Sequence, residues 1–173
     1  MIRDRENSES NDDSWRSWLD RHGPALLLLA RQHCTSAADA QDAVQEGFIR
    51  FWTSRERARD VTPYLFACVR SAAMDLSRGE RRRERHESQV PSPSGAMFDR
   101  LEQDDQRQAI EAALAMLPAE QRDVVVLKIC GELTFAQIAT AVEIKPDTAA
   151  SRYRYALGRL HATLRQQETT IHE

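Results

Sequence analysis

The stretch "LTFAQIATAVEIKPDTAASRYRYALGRL", residues 133–160, decides how this chain reads. It holds a short apolar helix, a break of a few residues, and a proline-started helix studded with arginine. Thr134 and Gln137 stand at capping-box spacing, with the threonine oxygen placed to accept from a first-turn amide. Phe135, Ile138, Ala139 and Val142 then form an apolar stripe on a helix of about two turns. Glu143-Ile144-Lys145 makes the break, and Ile144 is apolar enough to plug the angle between helices. Pro146 fixes the backbone for a new start, and Asp147 suits the positive end of the helix dipole. On this second helix Ala149, Tyr153, Ala156, Leu157, Leu160 and Leu164 fall on one side. Thr148, Ser151, Arg152, Tyr155 and Arg159 fall on the other, flanked by Lys145 and Arg154. Small side chains at Ala149 and Ala150 let the two helices cross closely. This is the plan of a helix-turn-helix, whose second helix enters the DNA major groove. Arginine pairs bidentately with guanine, and serine or threonine reaches bases or phosphates. A solvated face on an ordinary helical bundle is the alternative that the segment alone leaves open.

The rest of the chain agrees with an all-α protein. Glycine and proline number only 6 each in 173 residues. The straight-chain side chains that dominate lose little freedom in a helix. A net charge of −3 does not advertise a nucleic-acid binder, but a binding face needs only a local positive field. Arginine is concentrated in "RGERRRERH" (78–86) and in the last helix. The longest apolar run, "PALLLLA" (24–30), is far too short to span a bilayer, and it lacks the pattern of a signal peptide. Residence in the cytoplasm, without membrane insertion, is the expectation. The three cysteines (Cys34, Cys68, Cys130) are far apart and odd in number, which argues for small buried hydrophobes rather than a disulfide framework. The histidines (His22, His33, His86, His161, His172) have no metal-site spacing and no nucleophile arrangement. No enzyme activity, cofactor or metal is expected.

Two small helical domains joined by a flexible linker are predicted. Residues 1–12 are acidic and polar and read as disordered. A first domain covers 13–87, beginning with a helix over 13–34 that Gly23-Pro24 interrupts. Ser36 is the expected N-cap of a second helix, with Asp39 in its first turn. That helix carries Ala40, Ala43, Val44, Phe48, Phe51 and Trp52 on an apolar face. A third starts at Thr62-Pro63 and buries Leu65, Phe66, Val69, Ala72, Ala73 and Leu76. "SQVPSPSGAM" (88–97) breaks all periodicity, so the linker is assigned to 88–107. The second domain covers 108–165, with 166–173 as a tail.

These segments resemble a known family. "LPAEQRDVVVLKICGELTFAQIATAVEIKPDTAASRYRYALGRL" is similar to the C-terminal DNA-binding domain of bacterial RNA polymerase sigma factors, nearest the extracytoplasmic-function type. "DAQDAVQEGFIRFW" resembles the core-polymerase-binding helix of that family, and "TPYLFACVRSAAMDLSRGERRR" its promoter-melting segment. The resemblance covers about residues 15–87 and 108–165, in the family's order. It implies a protein that binds core RNA polymerase, recognises −10 and −35 promoter DNA and promotes initiation. It also implies an anti-sigma partner and a monomer when free. Asp39, Asp42, Gln45, Glu46, Ile49 and Arg50 match the polymerase-facing positions. Tyr64, Arg70, Ser71, Asp75, Arg78 and Arg81 match the −10 positions, a task suited to rings that stack on bases and arginines that pair with phosphates. For Tyr64, core packing is the competing role. Lys145, Asp147, Thr148, Ser151, Arg152, Arg154, Tyr155 and Arg159 match the −35-reading helix and its flanks.

The chain departs from the family at several positions. Ser71 replaces the usual asparagine, losing an amide that both donates and accepts, and Tyr64 replaces the usual tryptophan. Glu143 takes a common glycine position, Ala149 a common valine, and Tyr155 a frequent arginine. Competing readings are a sigma-like decoy for an anti-sigma protein and a helix-turn-helix repressor. Ser71 favours the decoy. The intact arginines speak against it, and the polymerase-binding helix would have no task in a repressor.

Overall fold

A computed structural model describes the backbone of residues 3–84 and 105–171, and the side chains of 16–79 and 110–162. The described residues are helical throughout: α1 (Arg3–Arg31), α2 (Ala37–Ser54), a short 3-10 turn (Arg55–Arg57), α3 (Val61–Glu84), α4 (Asp105–Ala115), α5 (Ala119–Val125), a π-helical turn (Val126–Cys130), α6 (Phe135–Val142) and α7 (Pro146–Ile171). The assigned linker, 88–107, lies outside the described residues except for its last three, which open α4. Of the expected tail, 166–171 continues α7.

In the first domain α1 departs from expectation. It starts at Arg3 rather than residue 13 and runs through Gly23-Pro24 without a break. An interior proline removes one hydrogen bond, to the carbonyl of Asp20, at a cost of about 3 kcal/mol. Burial of Leu26, Leu27, Leu29 and Ala30, each at most 3% exposed, outweighs that, at roughly 1.5–3 kcal/mol per large apolar side chain. Pro24 itself sits on the exposed side.

Ser36 caps α2 as expected, its Oγ accepting from the Asp39 amide at 3.0 Å. Phe51 is buried, but Trp52 is 52% exposed, against expectation. Consecutive helical residues point about 100° apart, so Phe51 and Trp52 cannot share the core face. The Arg55 guanidinium covers the indole instead, 3.8 Å from the ring centroid. The cap of α3 is Asp60 rather than Thr62: its Oδ1 accepts from the Thr62 amide at 3.2 Å. The α3 stripe of Leu65, Phe66, Val69, Ala72 and Ala73 is fully buried, with Leu76 packed at its margin.

In the second domain the capping box of Thr134 and Gln137 is complete. Glu143 ends α6 in the left-handed region at φ 56°, its amide bonding the Ala139 carbonyl. Ile144 packs into the core margin between α6 and α7. Ala149 and Ala156 are fully buried, and Tyr153 meets Phe135 edge-on at 5.7 Å. Leu157, expected on the buried side, is 39% exposed, and the side chain of Leu164 lies outside the described residues. Of the cysteines, Cys68 is buried, Cys34 half-buried and Cys130 exposed, so the expectation of burial fails for the last.

The two domains share one buried cluster. A β-carbon added at Gly131 would approach Phe66 Cζ to 3.2 Å, which shows how closely the second domain meets α3.

Candidate nucleic-acid interface

The arginine-bearing face of α7 begins at exposed Lys145 and Asp147. Ser151 Oγ donates back to the Asp147 carbonyl at 2.7 Å, so its hydroxyl is engaged by its own helix. Thr148 and Ser151 are half-buried, while Arg154, Tyr155 and Arg159 are exposed. Tyr155, at 71%, is the most exposed of the large hydrophobic side chains described. Arg152 leans toward α5, where its Nη2 meets Glu120 Oε2 at 2.5 Å, with Glu120 itself 68% exposed. An exposed pair of this kind contributes up to about 1 kcal/mol, so Arg152 exchanges partners at little cost. Seven of the eight expected residues thus lie on α7, with Lys145 just ahead of it, and the arginines among them reach solvent.

The second set lies on α2. Asp42 and Gln45 are exposed, Asp39 and Glu46 half-buried, and Ile49 is 62% exposed. An exposed isoleucine among carboxylates is the pattern of a contact surface with a charged rim. Arg50 turns away from this face. Its Nε donates to Glu46 at 2.8 Å and its Nη1 to Asp75 on α3 at 2.7 Å. The Asp75 bond first, then that of Glu46, pushes the guanidinium pKa up. Ser71 Oγ stands 3.5 Å from the same Nη1.

The third set, on α3, divides. Ser71, Asp75 and Arg78 line an exposed strip, with Arg78 Nη1 3.6 Å from Asp75 Oδ1. Tyr64 is half-buried. Its ring lies 6.1 Å from that of Phe51, and its hydroxyl shares a 2.7 Å hydrogen bond with Ser54. That is the packing role. Nearby, burial pushes the Cys68 thiol up, opposed by the Tyr64 hydrogen bond and the Arg50 charge. Arg81 is on α3, but its side chain lies outside the described residues. Arg70 does not join the strip: its Nε donates to Asp123 Oδ2, on α5, at 2.7 Å.

Asp123 is a functional candidate that sequence reasoning missed. It is 2% exposed, and its other oxygen accepts from His33 Nε2 at 2.8 Å. Burial alone would raise its pKa. The hydrogen bonds and charges of His33 and Arg70 outweigh burial and hold the carboxyl below its ordinary value. The signal available in "RDVVVL" was slight: a carboxylate directly abutting an apolar run. Among the described residues, no group of three or more His, Cys, Asp or Glu side chains could hold a metal. No described helix is long and apolar enough to cross a membrane.

Comparison with known proteins agrees with this geometry. Residues 18–83 match the sequence profile of Sigma-70 region 2, and residues 107–160 that of Sigma-70 region 4. The chain is 33% identical over 168 residues to the ECF RNA polymerase sigma factor SigL of Mycobacterium tuberculosis, covering 90% of this chain and 91% of that protein. It is 32% identical over 146 residues to the RNA polymerase sigma-E factor of Streptomyces coelicolor, covering 81% and 80%. In fold it resembles the sigma factor RpoE of Bartonella quintana, solved with the anti-sigma factor NepR (TM-score 0.65, 21% identity, 88% of this chain and 97% of that one). It also resembles CnrH, solved with the cytosolic domain of CnrY (TM-score 0.63, 21% identity, 94% of each chain). The two matched regions, in order and carrying the exposed faces described above, place the chain in the sigma-70 family, as an RNA polymerase sigma factor of the extracytoplasmic-function type.

Proposed function

We propose that this sigma factor docks on core RNA polymerase through the outer face of α2. Asp39, Asp42, Gln45 and Glu46 supply the charged rim and Ile49 the apolar anchor. The observation that carries this reading is Ile49, held 62% exposed on the outer face of an amphipathic helix. The N-terminal half of α7 reads the −35 element: Thr148, Ser151 and Arg152 lie toward bases, and Lys145, Arg154, Tyr155 and Arg159 toward the backbone. Asp147 serves the helix dipole. The Ser71, Asp75, Arg78 and Arg81 strip of α3 meets the −10 strand, with Arg50 fixing its geometry. Tyr64 supports that strip from below instead of stacking on a base. The protein acts in the cytoplasm without itself catalysing a reaction, and an anti-sigma protein restrains it. Support for that partner comes from the two structural neighbours, each solved with another protein bound.

Run-off transcription tests this reading. Purified core polymerase, the full chain and DNA from upstream of its own gene are expected to give a discrete transcript that depends on the protein. Arg152→Ala should reduce it. The absence of both a transcript and binding to core polymerase would leave the decoy or the repressor reading standing.

A further inference from the structure

Asp123 ties together what the chain order separates. It is the sole acidic side chain among the buried residues described. Both of its partners come from the first domain: His33, just past the end of α1, and Arg70, in the middle of α3. A buried carboxylate is tolerated only when such donors replace water, so the node holds together only while the domains are in contact. Two peripheral ties surround it. Arg31 Nε meets Glu111 of α4 at 2.8 Å, and Gln137 Nε2, at the start of α6, donates to Asp60 Oδ2 at 2.8 Å. The Gln137 side-chain oxygen meanwhile completes the helix-turn-helix capping box. One side chain therefore both starts the DNA-reading motif and anchors it to the first domain.

Arg70 donates to an internal carboxylate, and the same guanidinium donors also suit a phosphate oxygen. We propose that Asp123 is an intramolecular latch that closes the second domain onto the first, competes with single-stranded DNA for Arg70, and must release before Arg70 can bind a phosphate. The closed chain is thus a resting form in which part of the −10 surface is occupied from within. The competition rests on the DNA-facing role proposed for α3; the closure rests only on the contacts above.

The test compares the full-length wild type with Asp123→Asn, which keeps the shape and removes the charge. Small-angle X-ray scattering reads closure, and circular dichroism reads the fold. Fluorescence anisotropy with a labelled single-stranded oligonucleotide of mixed sequence reads access to Arg70. The expected result is a larger radius of gyration at unchanged helicity, with at least about fivefold tighter oligonucleotide binding. That gain should vanish in Asp123→Asn/Arg70→Ala. Should Asp123→Asn lose helicity, Arg70→Gln breaks the same pair from its half-exposed side, and the same expansion is expected. An unchanged radius of gyration in a folded variant overturns the latch. Expansion without tighter binding overturns the competition for Arg70. Either failure, alongside a wild-type run-off transcript, would leave the sigma-factor reading intact.

Discussion

Arg50 on α2 and Asp75 on α3 are joined at 2.7 Å, so the proposed polymerase-binding helix and the proposed −10 helix share one ion pair. The pair is more than a third exposed, at 37% and 46%, and solvent screening limits it to about 0.2–1 kcal/mol. Asp75→Asn should therefore lower unfolding stability by no more than about 1 kcal/mol in urea titration. It should also reduce run-off transcription more than that small loss explains, because the orientation of Arg50 goes with it. Equal transcription by the variant would show that the pair is ornamental.

α2 packs tightly on α3 at Gly47. A β-carbon there would lie 2.5 Å from Val69 Cγ2 and 2.6 Å from Val69 Cα. The second atom is backbone and cannot swing aside. Gly47→Ala is expected to cost about 1–3 kcal/mol or more, measured as a lower urea midpoint.

Glu143 adopts φ 56° at the end of α6, a conformation that costs an L-residue about 1–2 kcal/mol. Glu143→Gly should stabilise the chain by about 0.5–1 kcal/mol once the extra chain entropy of glycine is subtracted. A calorimetric melting temperature that falls would contradict the left-handed turn.

The latch predicts a pH dependence with a definite sign. Asp123 faces His33 from the turn after α1 and Arg70 from α3, and its carboxyl is held below the ordinary value of 3.8. A carboxyl depressed in the closed form adds stability that is fully present above that ordinary value. The stability is lost as pH falls through the lowered one. In scattering and melting experiments from about pH 5 downward, the wild type should open with a steeper slope than Asp123→Asn. Parallel slopes would mean that other carboxylates carry the acid response.

Ile49 gives a functional prediction free of stability effects. Ile49→Asp changes a side chain that is 62% exposed, so the melting temperature should barely move. Loss of an apolar anchor at an interface typically exceeds 1 kcal/mol, about fivefold or more in affinity for core polymerase. Surface-immobilised core polymerase would read the difference directly.

What was legible in the sequence was local. Ser36, the Thr134–Gln137 box, Pro146 and the α6–α7 turn are short-range signals, in which the cap and its amide lie within a few residues. The matched order of motifs located both proposed DNA-reading elements. What failed was set by neighbours distant in sequence. Pro24 looked like a break because nothing local reveals that the leucines around it are buried against another helix. Trp52 looked like core because apolar character alone does not say that Phe51 already occupies the inward direction. Asp123 was passed over since His33 and Arg70 lie 90 and 53 residues away, and no periodicity encodes such a meeting. A carboxylate at the head of three valines was the one local clue.

The π-helical turn at Val126–Cys130, closed by the Gly131 amide on the Val126 carbonyl at 3.0 Å, amounts to an α-helix with one residue too many. Each helical residue turns the chain by about 100°, so the surplus residue acts as a rotary offset between Asp123, upstream, and the helix-turn-helix, downstream. Shortening the turn by a single residue would leave both halves well formed and swing one against the other by roughly that angle. The direction in which α7 points is thus indexed to Asp123 by a count of backbone residues.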